Sequence, residues 1–354
     1  MASSGGRYVY ETPWTAYAMA LANRQDRFRL AIGSFREGEP NHIQVVELNQ
    51  ETKKLRVEAE TEHPFQATKL MWKPSASTLN SGGNSDKVLD GHLFASSSTH
   101  LDLWRYSEGQ IKSVGRLPTA RSTKSDGSPP LTSFDWSPIN ENKIAGSSLD
   151  TTCSIWDIEK HKIESQLIAH DKAVYDVCFG QRDSIAHLFS SVGADGSVRV
   201  FDQRNLEHST IIYETNPPRP LLRLSWNPND KNLIACIAMD QPVVLIIDIR
   251  RPSVSWKELN TGNSCPNSIM WSPCSKNHLL CGTQGNSALI WDVRDGPPSA
   301  QFNPKAAAEA AADPKAMCVH AYDTGSEVLQ VQWFSSQPDH VALGTARQAE
   351  ILKL

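Results

Sequence analysis

The chain has 354 residues, of which 39% are hydrophobic, and a formal net charge of −4. This length fits one or two ordinary domains or one large all-β domain, and the hydrophobic content is enough to bury a sizeable core, which excludes a chain disordered throughout. The balance of 35 basic against 39 acidic residues argues against a protein held to nucleic acid by phosphate charge, and no apolar stretch is long enough to span a membrane.

A short alternation at residues 7–11 predicts a strand, and two repeating patterns follow it along the chain. The first pattern is an apolar residue, any residue and a large residue, often followed by Ser-Pro or Asn-Pro. It ends at Leu21, Trp72, Trp136, Phe179, Trp226, Trp271 and Trp333. The second pattern is a run of alternating apolar residues that ends in a large residue, usually followed by an acid. Its large residues are Val46, Trp104, Trp156, Phe201, Ile247, Trp291 and Leu352.

The spacing of these patterns indicates the architecture. Successive large residues of the first pattern lie 43 to 64 residues apart, and a period of about 40–45 residues with four short strands is typical of a propeller blade. We therefore predict an all-β protein, a seven-bladed β-propeller of four-stranded antiparallel blades that forms a single domain over residues 1–354. The blades are expected to start near residues 15, 67, 131, 173, 220, 266 and 327.

The last blade lacks an outer strand, and the strand predicted near the start of the chain can supply it. The last repeat stops after its third strand, at residues 349–354, so that blade has no outer strand of its own. We expect residues 7–11 to supply the missing strand and close the ring, because closure removes a sheet edge that would otherwise be exposed.

Three insertions interrupt the period, at residues 75–91, 118–130 and 294–316. The first two have the composition of loops, and the third contains an alanine run of about two helical turns, which is marginal as an isolated helix. From their positions within the blades, we expect the first and third insertions to leave the ring on the face opposite the second. A linker between domains is the alternative interpretation of each.

Several strings in the chain resemble known repeat proteins. Trp156-Asp157, Trp291-Asp292 and Ala169-His170 are similar to the motifs of WD-repeat propellers in general. Longer strings at 130–136 (PLTSFDW) and 192–199 (VGADGSVR) resemble the Transparent Testa Glabra family. That family includes an animal damaged-DNA-binding-protein-and-cullin-associated WD-repeat factor, and the likeness covers nearly the whole chain. The sequence departs from the family pattern in its three insertions and in having Gly262 where a His would begin blade six.

The resemblance implies a non-enzymatic scaffold for regulatory complexes that works in the nucleus and the cytoplasm. Its implied partners are transcription regulators of the MYB or basic helix-loop-helix type and dual-specificity tyrosine-regulated kinases. We expect a monomeric WD-repeat propeller without direct contact to nucleic acid or membrane.

A partner is expected to bind the face formed by the turns that lead into first strands and the turns that join second to third strands. A rigid ring displays many such loops around one rim and can hold a peptide or helix across it. The candidate residues on these turns are His63, Asp150, Thr151, His170, Asp171, Lys172, Asp195, Asp240 and Gln241. The alternative is that they only close hairpins, with each His hydrogen-bonded beneath a turn, beside an Asp such as Asp150 or Asp195.

Three third-strand acids continue as Asp-x-Arg, a spacing that resembles the box by which some WD-repeat proteins dock to a cullin ligase adaptor. The pairs are Asp202 with Arg204, Asp248 with Arg250, and Asp292 with Arg294. A rigid guanidinium fork at a turn suits bidentate capture of a carboxylate. The alternative role for these acids is capping of their own turn by accepting bonds from the following N–H groups.

The sequence shows no motif that predicts catalysis. None of the 11 His residues forms an H-E-x-x-H or H-x-H pattern, and no nucleophile elbow or phosphate loop is present. We predict no catalytic residue, no metal and no cofactor. Three functions therefore compete: an interaction scaffold, a substrate receptor of a cullin-RING ubiquitin ligase docking through the Asp-x-Arg turns, and a propeller enzyme with its site in the central channel.

Overall fold

The computed structural model describes residues 6–22, 28–74, 92–119, 129–294 and 318–354. These residues form 28 strands and one short 3-10 helix, Asp183–Ile185. The strands build seven sheets of four antiparallel strands each, and this confirms the predicted seven-bladed β-propeller. Within the described ranges, no helix has the length and apolar character needed to cross a membrane.

The first strands of the blades carry the first repeating pattern. They are β2 (Thr15–Leu21), β6 (Lys69–Trp72), β10 (Leu131–Trp136), β14 (Val174–Phe179), β18 (Leu221–Trp226), β22 (Pro266–Trp271) and β26 (Val328–Trp333). The strands thus begin within two residues of the predicted blade starts. That residues 1–354 make up a single domain stays a prediction.

The second strands are rich in small residues. They are β3 (Arg29–Phe35), β7 (Leu93–Ser97), β11 (Lys143–Ser148), β15 (Leu188–Gly193), β19 (Leu233–Ala238), β23 (His278–Thr283) and β27 (His340–Thr345). The absence of a side chain at Gly282 lets the next blade approach closely, because a Cβ there would lie 2.5 Å from Cγ1 of Val328 in the following first strand.

The third strands carry the second pattern, and the outer strands complete each sheet. The third strands are β4 (Asn41–Asn49), β8 (Leu101–Ser107), β12 (Thr152–Asp157), β16 (Ser197–Asp202), β20 (Val243–Asp248), β24 (Ser287–Asp292) and β28 (Gln348–Lys353). The outer strands of blades one to six are β5 (Lys54–His63), β9 (Gln110–Arg116), β13 (Lys162–Ile168), β17 (Asn205–Glu214), β21 (Ser255–Asn260) and β25 (His320–Asp323).

The N-terminal strand closes the ring, as the sequence predicted. β1 (Arg7–Glu11) pairs antiparallel with β28 and is the outer strand of blade seven. Arg7 makes a two-pronged contact with Glu350, whose side chain is fully buried, at 3.0 and 3.2 Å. Tyr322 of blade six also donates to Glu350 at 3.3 Å. The closing strand is therefore held by an ion pair as well as by its backbone ladder.

The hydrophobic core lies between neighbouring blades, and the large residues of both patterns fill it. Trp136, Trp156, Trp226, Trp271 and Trp291 are among the largest fully buried side chains. A typical cluster draws on two adjoining blades, since Trp271 and Trp291 of blade six pack with Ile246 of blade five. Large side chains recur at these positions because each one joins a blade to its neighbour.

The faces on which the three insertions leave the ring stay a prediction. Residues 75–91, 120–128 and 295–316 of the predicted insertions lie outside the described residues. The first insertion falls between a first and a second strand and the third between a third and an outer strand. We name this face of the ring the lower face. The second insertion precedes a first strand, on the opposite face, which we name the upper face.

Candidate interaction faces

The upper face consists of the turns that lead into first strands and the turns that join second to third strands. All nine candidate partner residues lie on these turns or at the strand ends beside them. They differ in accessibility: Asp171, Lys172 and Asp240 are exposed, Asp150, Thr151, Asp195 and Gln241 are half-buried, and His63 and His170 are buried. The assignment of these residues to partner binding stays a prediction.

His170 lies beneath the turn that leads into blade four, with 1% of its surface exposed. Its Nδ1 is 3.0 Å from both carboxylate oxygens of Asp195, and its Nε2 is 2.7 Å from Oγ of Ser191. Partial burial opposes the charged form of Asp195, but the hydrogen bond and charge of His170 outweigh it and hold the pKa of Asp195 below its usual range. His170 therefore fixes the turn around Asp195 from below, and its ring is not on the outer surface.

Arg199 extends this network to the surface. Its Nη2 donates to Asp171 at 2.7 Å and to Asp195 at 3.0 Å, and its Nε donates to Ser197 at 3.0 Å. The Asp171 side chain is 82% exposed. Asp171 is thus held in one orientation by a guanidinium that is itself anchored on the half-buried Asp195. Sequence analysis missed Arg199 because its strand position alone does not show that it reaches both turns.

His63 occupies the equivalent place before blade two but has different partners. Its Nδ1 is 2.5 Å from the carbonyl oxygen of Phe65, and its Nε2 is 2.9 Å from Oγ of Ser96, which also accepts from Nε1 of Trp104 at 2.8 Å. Burial lowers the pKa of His63. His63 thus lies hydrogen-bonded beneath its turn, as the alternative interpretation proposed. Its partners are a carbonyl and a hydroxyl group, whereas His170 bonds the carboxylate of Asp195.

The remaining candidates lie in tight turns with unusual backbone angles. Asp150 accepts from the N–H and the hydroxyl of Thr152 at 3.1 and 2.6 Å, so it caps its own turn. Thr151 has a φ of +76° and Asp240 a φ of +55°. A β-branched residue such as Thr rarely adopts a positive φ, whereas Asp tolerates it. Gln241 donates to the carbonyl of Asp240 at 2.8 Å.

The three Asp-x-Arg pairs lie on the lower face, one at the end of the third strand in each of blades four, five and six. In each pair the Arg wraps back onto the Asp of its own turn. The Nη2 to Oδ2 distances are 2.5 Å for Arg204 and Asp202, 2.6 Å for Arg250 and Asp248, and 2.6 Å for Arg294 and Asp292.

The Asp-x-Arg prediction requires an Arg whose guanidinium is available to the carboxylate of a partner. In the structure, one edge of each guanidinium is already bonded to the Asp of its own pair. In the first pair the backbone N–H of Arg204 also donates to Asp202 at 2.9 Å, and the guanidinium hydrogen bond lowers the pKa of Asp202 to about 2. The two groups bind each other because Arg204 follows Asp202 by two positions, so that the guanidinium and the carboxylate lie in the same turn. The three Arg side chains are 64–68% exposed, so their outer edges face solvent although their inner edges are engaged.

Comparisons with known proteins identify the family of the chain. The family described as WD domain, G-beta repeat matches residues 161–202, which run from β13 to β16 and contain His170 and Asp195. A Dictyostelium discoideum protein named DDB1- and CUL4-associated factor 7 homolog is 41% identical over 348 residues, and the match covers 98% of both chains. This chain belongs to the same WD-repeat family.

Two fungal proteins also resemble this WD-repeat chain. An uncharacterized WD repeat-containing protein of Schizosaccharomyces pombe is 38% identical, and the match covers 82% of this chain and 70% of that protein. A WD repeat-containing protein of Saccharomyces cerevisiae is 33% identical over 75% of this chain, and the match covers 54% of that protein.

The central channel of this WD-repeat protein contains buried acids that sequence analysis did not single out. The first strands line a cavity of about 360 Å³, with Lys69, Asp135 and Asp176 on its wall. Asp135 accepts from the N–H of Phe179 at 2.8 Å, and Asp176 accepts from the N–H of Leu224 at 3.0 Å. Each acid thus bonds the first strand of the next blade, and this role explains their burial.

The two acids share the channel wall with one lysine. Lys69 lies 3.7 Å from Asp176, and burial, the largest influence, raises the pKa of Asp135 to about 6. Among the residues that the structure describes, no group of three or more His, Cys, Asp or Glu side chains is placed to hold a metal ion. The signal that could have revealed Asp135 is an acid between two buried aromatic residues, Phe134 and Trp136.

Proposed function

We propose that this WD-repeat protein is a non-enzymatic scaffold that assembles regulatory protein complexes. The observation that carries the proposal is the upper face, where buried His side chains and the half-buried Asp195 hold turns in fixed positions around one rim. Fixed turns suit protein binding because little conformational entropy is lost when a partner docks. The whole chain acts in this proposal as one monomeric propeller domain.

The partner classes follow from the resemblance to the Transparent Testa Glabra family. They are transcription regulators of MYB or basic helix-loop-helix type and dual-specificity kinases, met in the nucleus and the cytoplasm, with no direct binding of nucleic acid or membrane. Affinity purification of the tagged chain should recover a regulator or kinase in stoichiometric amounts. Recovery of general chaperones alone would contradict the scaffold proposal.

A second candidate function is a substrate receptor of a cullin-RING ubiquitin ligase. Two observations favour it: three consecutive blades carry the Asp-x-Arg turn on one face, and the Dictyostelium relative is named a DDB1- and CUL4-associated factor homolog. Scaffold and receptor functions are compatible, because the Asp-x-Arg turns and the candidate partner turns lie on opposite faces of the ring.

The receptor function is tested with the double variant Arg204→Ala, Arg250→Ala. The outer edges of these guanidiniums face solvent, so their loss should abolish capture of the ligase adaptor in a pull-down. Arg251→Ala is the matched control, because Arg251 is an exposed Arg beside Arg250 that belongs to no Asp-x-Arg pair. Unchanged capture by the double variant, with an unchanged melting temperature, would exclude docking through these turns.

A further inference from the structure

Blade one has a groove on the upper face, beside the candidate partner residue His63. The groove lies between the turn at residues 36–40 and the end of β5, and Glu39, Pro40, Glu62, Pro64 and Phe65 line it. Nε2 of Gln66 donates to the carbonyl of Arg36 at 3.1 Å and so ties the two walls together. We name this feature the blade-one groove.

Phe65 lines the groove, and Phe35 directly precedes the turn at residues 36–40 that forms one of its walls. Phe65 is 46% exposed and Phe35 is 38% exposed, although both are large and apolar. The ring of Tyr17 lies 5.2 Å from the ring of Phe35. Tyr17 is the extra residue of a one-residue bulge in β2, since Ala16 pairs with Ser34 and Ala18 with Gly33. Such bulges re-aim side chains, and this one sets Tyr17 against Phe35.

Glu39 and Glu62 line the groove, and Glu37 lies in the turn that forms one of its walls. Glu39 pairs with Arg36, and Glu60 pairs with Nδ1 of His42 at 2.9 Å. Glu37 and Glu62 are exposed and have no ion-pair partner within the described ranges. An exposed aromatic residue beside an unpaired carboxylate favours a ligand that carries positive charge beside an apolar group, and it disfavours an acidic or phosphorylated one.

We propose that the blade-one groove binds a short segment of a partner protein in which a large apolar residue is flanked by Lys or Arg. The apolar residue packs on Phe65, and a flanking cation faces Glu62. This inference rests on the proposed scaffold function, because it assigns a recognition chemistry to one sector of the upper face.

The test is selection from a displayed library of random short peptides on the purified full chain. Sequences with an apolar residue flanked by Lys or Arg should be enriched. A synthetic peptide of the enriched sequence, measured by fluorescence anisotropy, should lose about thirtyfold in affinity with Phe65→Ala and about fivefold with Glu62→Lys. Its affinity should also fall as salt is raised.

Matched controls are available on the same face. Ile168→Ala removes an apolar side chain that is 75% exposed at the end of β13, and Glu214→Lys reverses an exposed acid at the end of β17. Neither control should change the affinity of the peptide. Enrichment of acidic or uncharged sequences, no enrichment, or an affinity that survives both groove variants would overturn the assignment of the groove.

A second measurement separates this inference from the scaffold proposal. The partners recovered with the wild-type chain are compared with those recovered with Phe65→Ala, Glu62→Lys. Stoichiometric partners that bind both chains equally would refute the groove assignment while the scaffold function stands. Peptides that depend on the groove, together with a wild-type chain that recovers no stoichiometric partner, would support the groove assignment and contradict the scaffold function.

Discussion

On the upper face, His170 joins two turns of blade four from beneath, and on the lower face Arg204 binds an acid two residues away in its own turn. The first arrangement connects separate segments: Asp195 is reached by His170 across 25 positions of sequence, and the N–H of His170 also bonds the carbonyl of Thr151 in blade three at 3.3 Å. The second is confined to one exposed turn. We therefore expect the His170 network to stabilise the fold, and we expect that the Arg204–Asp202 pair can be changed with little effect on stability.

The largest expected effect is from His170→Ala. The substitution removes a buried ring and leaves Asp195 and Ser191 without their partner, so the free energy of unfolding should fall by about 4 kcal/mol. Urea denaturation followed by tryptophan fluorescence measures the change. The matched control is Lys172→Ala, two residues away and exposed, which should leave the midpoint unchanged. A loss no larger than that of the control would show that the network is not structural.

The next largest effect concerns Asp135 on the wall of the central channel, whose contribution to the free energy of unfolding depends on pH. Burial raises the pKa of Asp135 to about 6, above its value in the unfolded chain, so the folded state keeps this proton to higher pH. The stability that this proton contributes is fully present below about pH 4 and is lost as pH rises through about 6.

Asp135→Asn should remove the pH dependence that Asp135 gives to stability, because an amide does not ionise. The amide oxygen can still accept from the N–H of Phe179. At pH 7 the variant should be more stable than the wild type by about 3 kcal/mol, a gain that disappears near pH 4. Urea denaturation across this range measures it. Parallel stability curves for the two chains would mean that Asp135 titrates in the folded protein as it does in the unfolded one.

The repeat in the sequence was sufficient to predict the ring. Large residues such as Trp136 and Trp156 are buried at every blade contact, so their period follows the architecture, and the unpaired third strand at the end of the chain indicated its closure by residues 7–11. Asp195-Gly196 indicated a hairpin turn, and Gly196 has a φ of +82° as that turn requires.

The sequence was a weaker guide to the candidate sites, because they depend on contacts between segments distant in the chain. The pattern placed His63 and His170 on the upper face and left open whether they bind a partner or lie beneath a turn, where the structure buries both. It identified Asp202 and Arg204 but not that they bind each other. The groove at Phe65 could not be predicted, since it forms only where the end of β5 meets the turn after Phe35.

A smaller effect is expected at Thr151, where the upper face holds a β-branched residue at a φ of +76°. Thr151→Asn should raise the free energy of unfolding by about 1 kcal/mol, because Asn adopts a positive φ at lower cost. Asp240→Asn is the matched control at a φ of +55° and should change nothing, since Asp already suits the turn. Equal effects of the two substitutions in urea denaturation would mean that strain at Thr151 is negligible.

The smallest effect is expected from Arg204→Ala on the lower face. Arg204 is 68% exposed and its acid lies in the same turn, so water can replace the guanidinium around Asp202, and an exposed pair contributes little to stability. The urea midpoint should not move measurably, in contrast to that of His170→Ala. This outcome matters for the ligase hypothesis, because only a variant that keeps its stability can attribute lost adaptor capture to the missing guanidinium. A large shift of the midpoint would instead show that the lower-face forks are structural, and would remove the difference between the two faces.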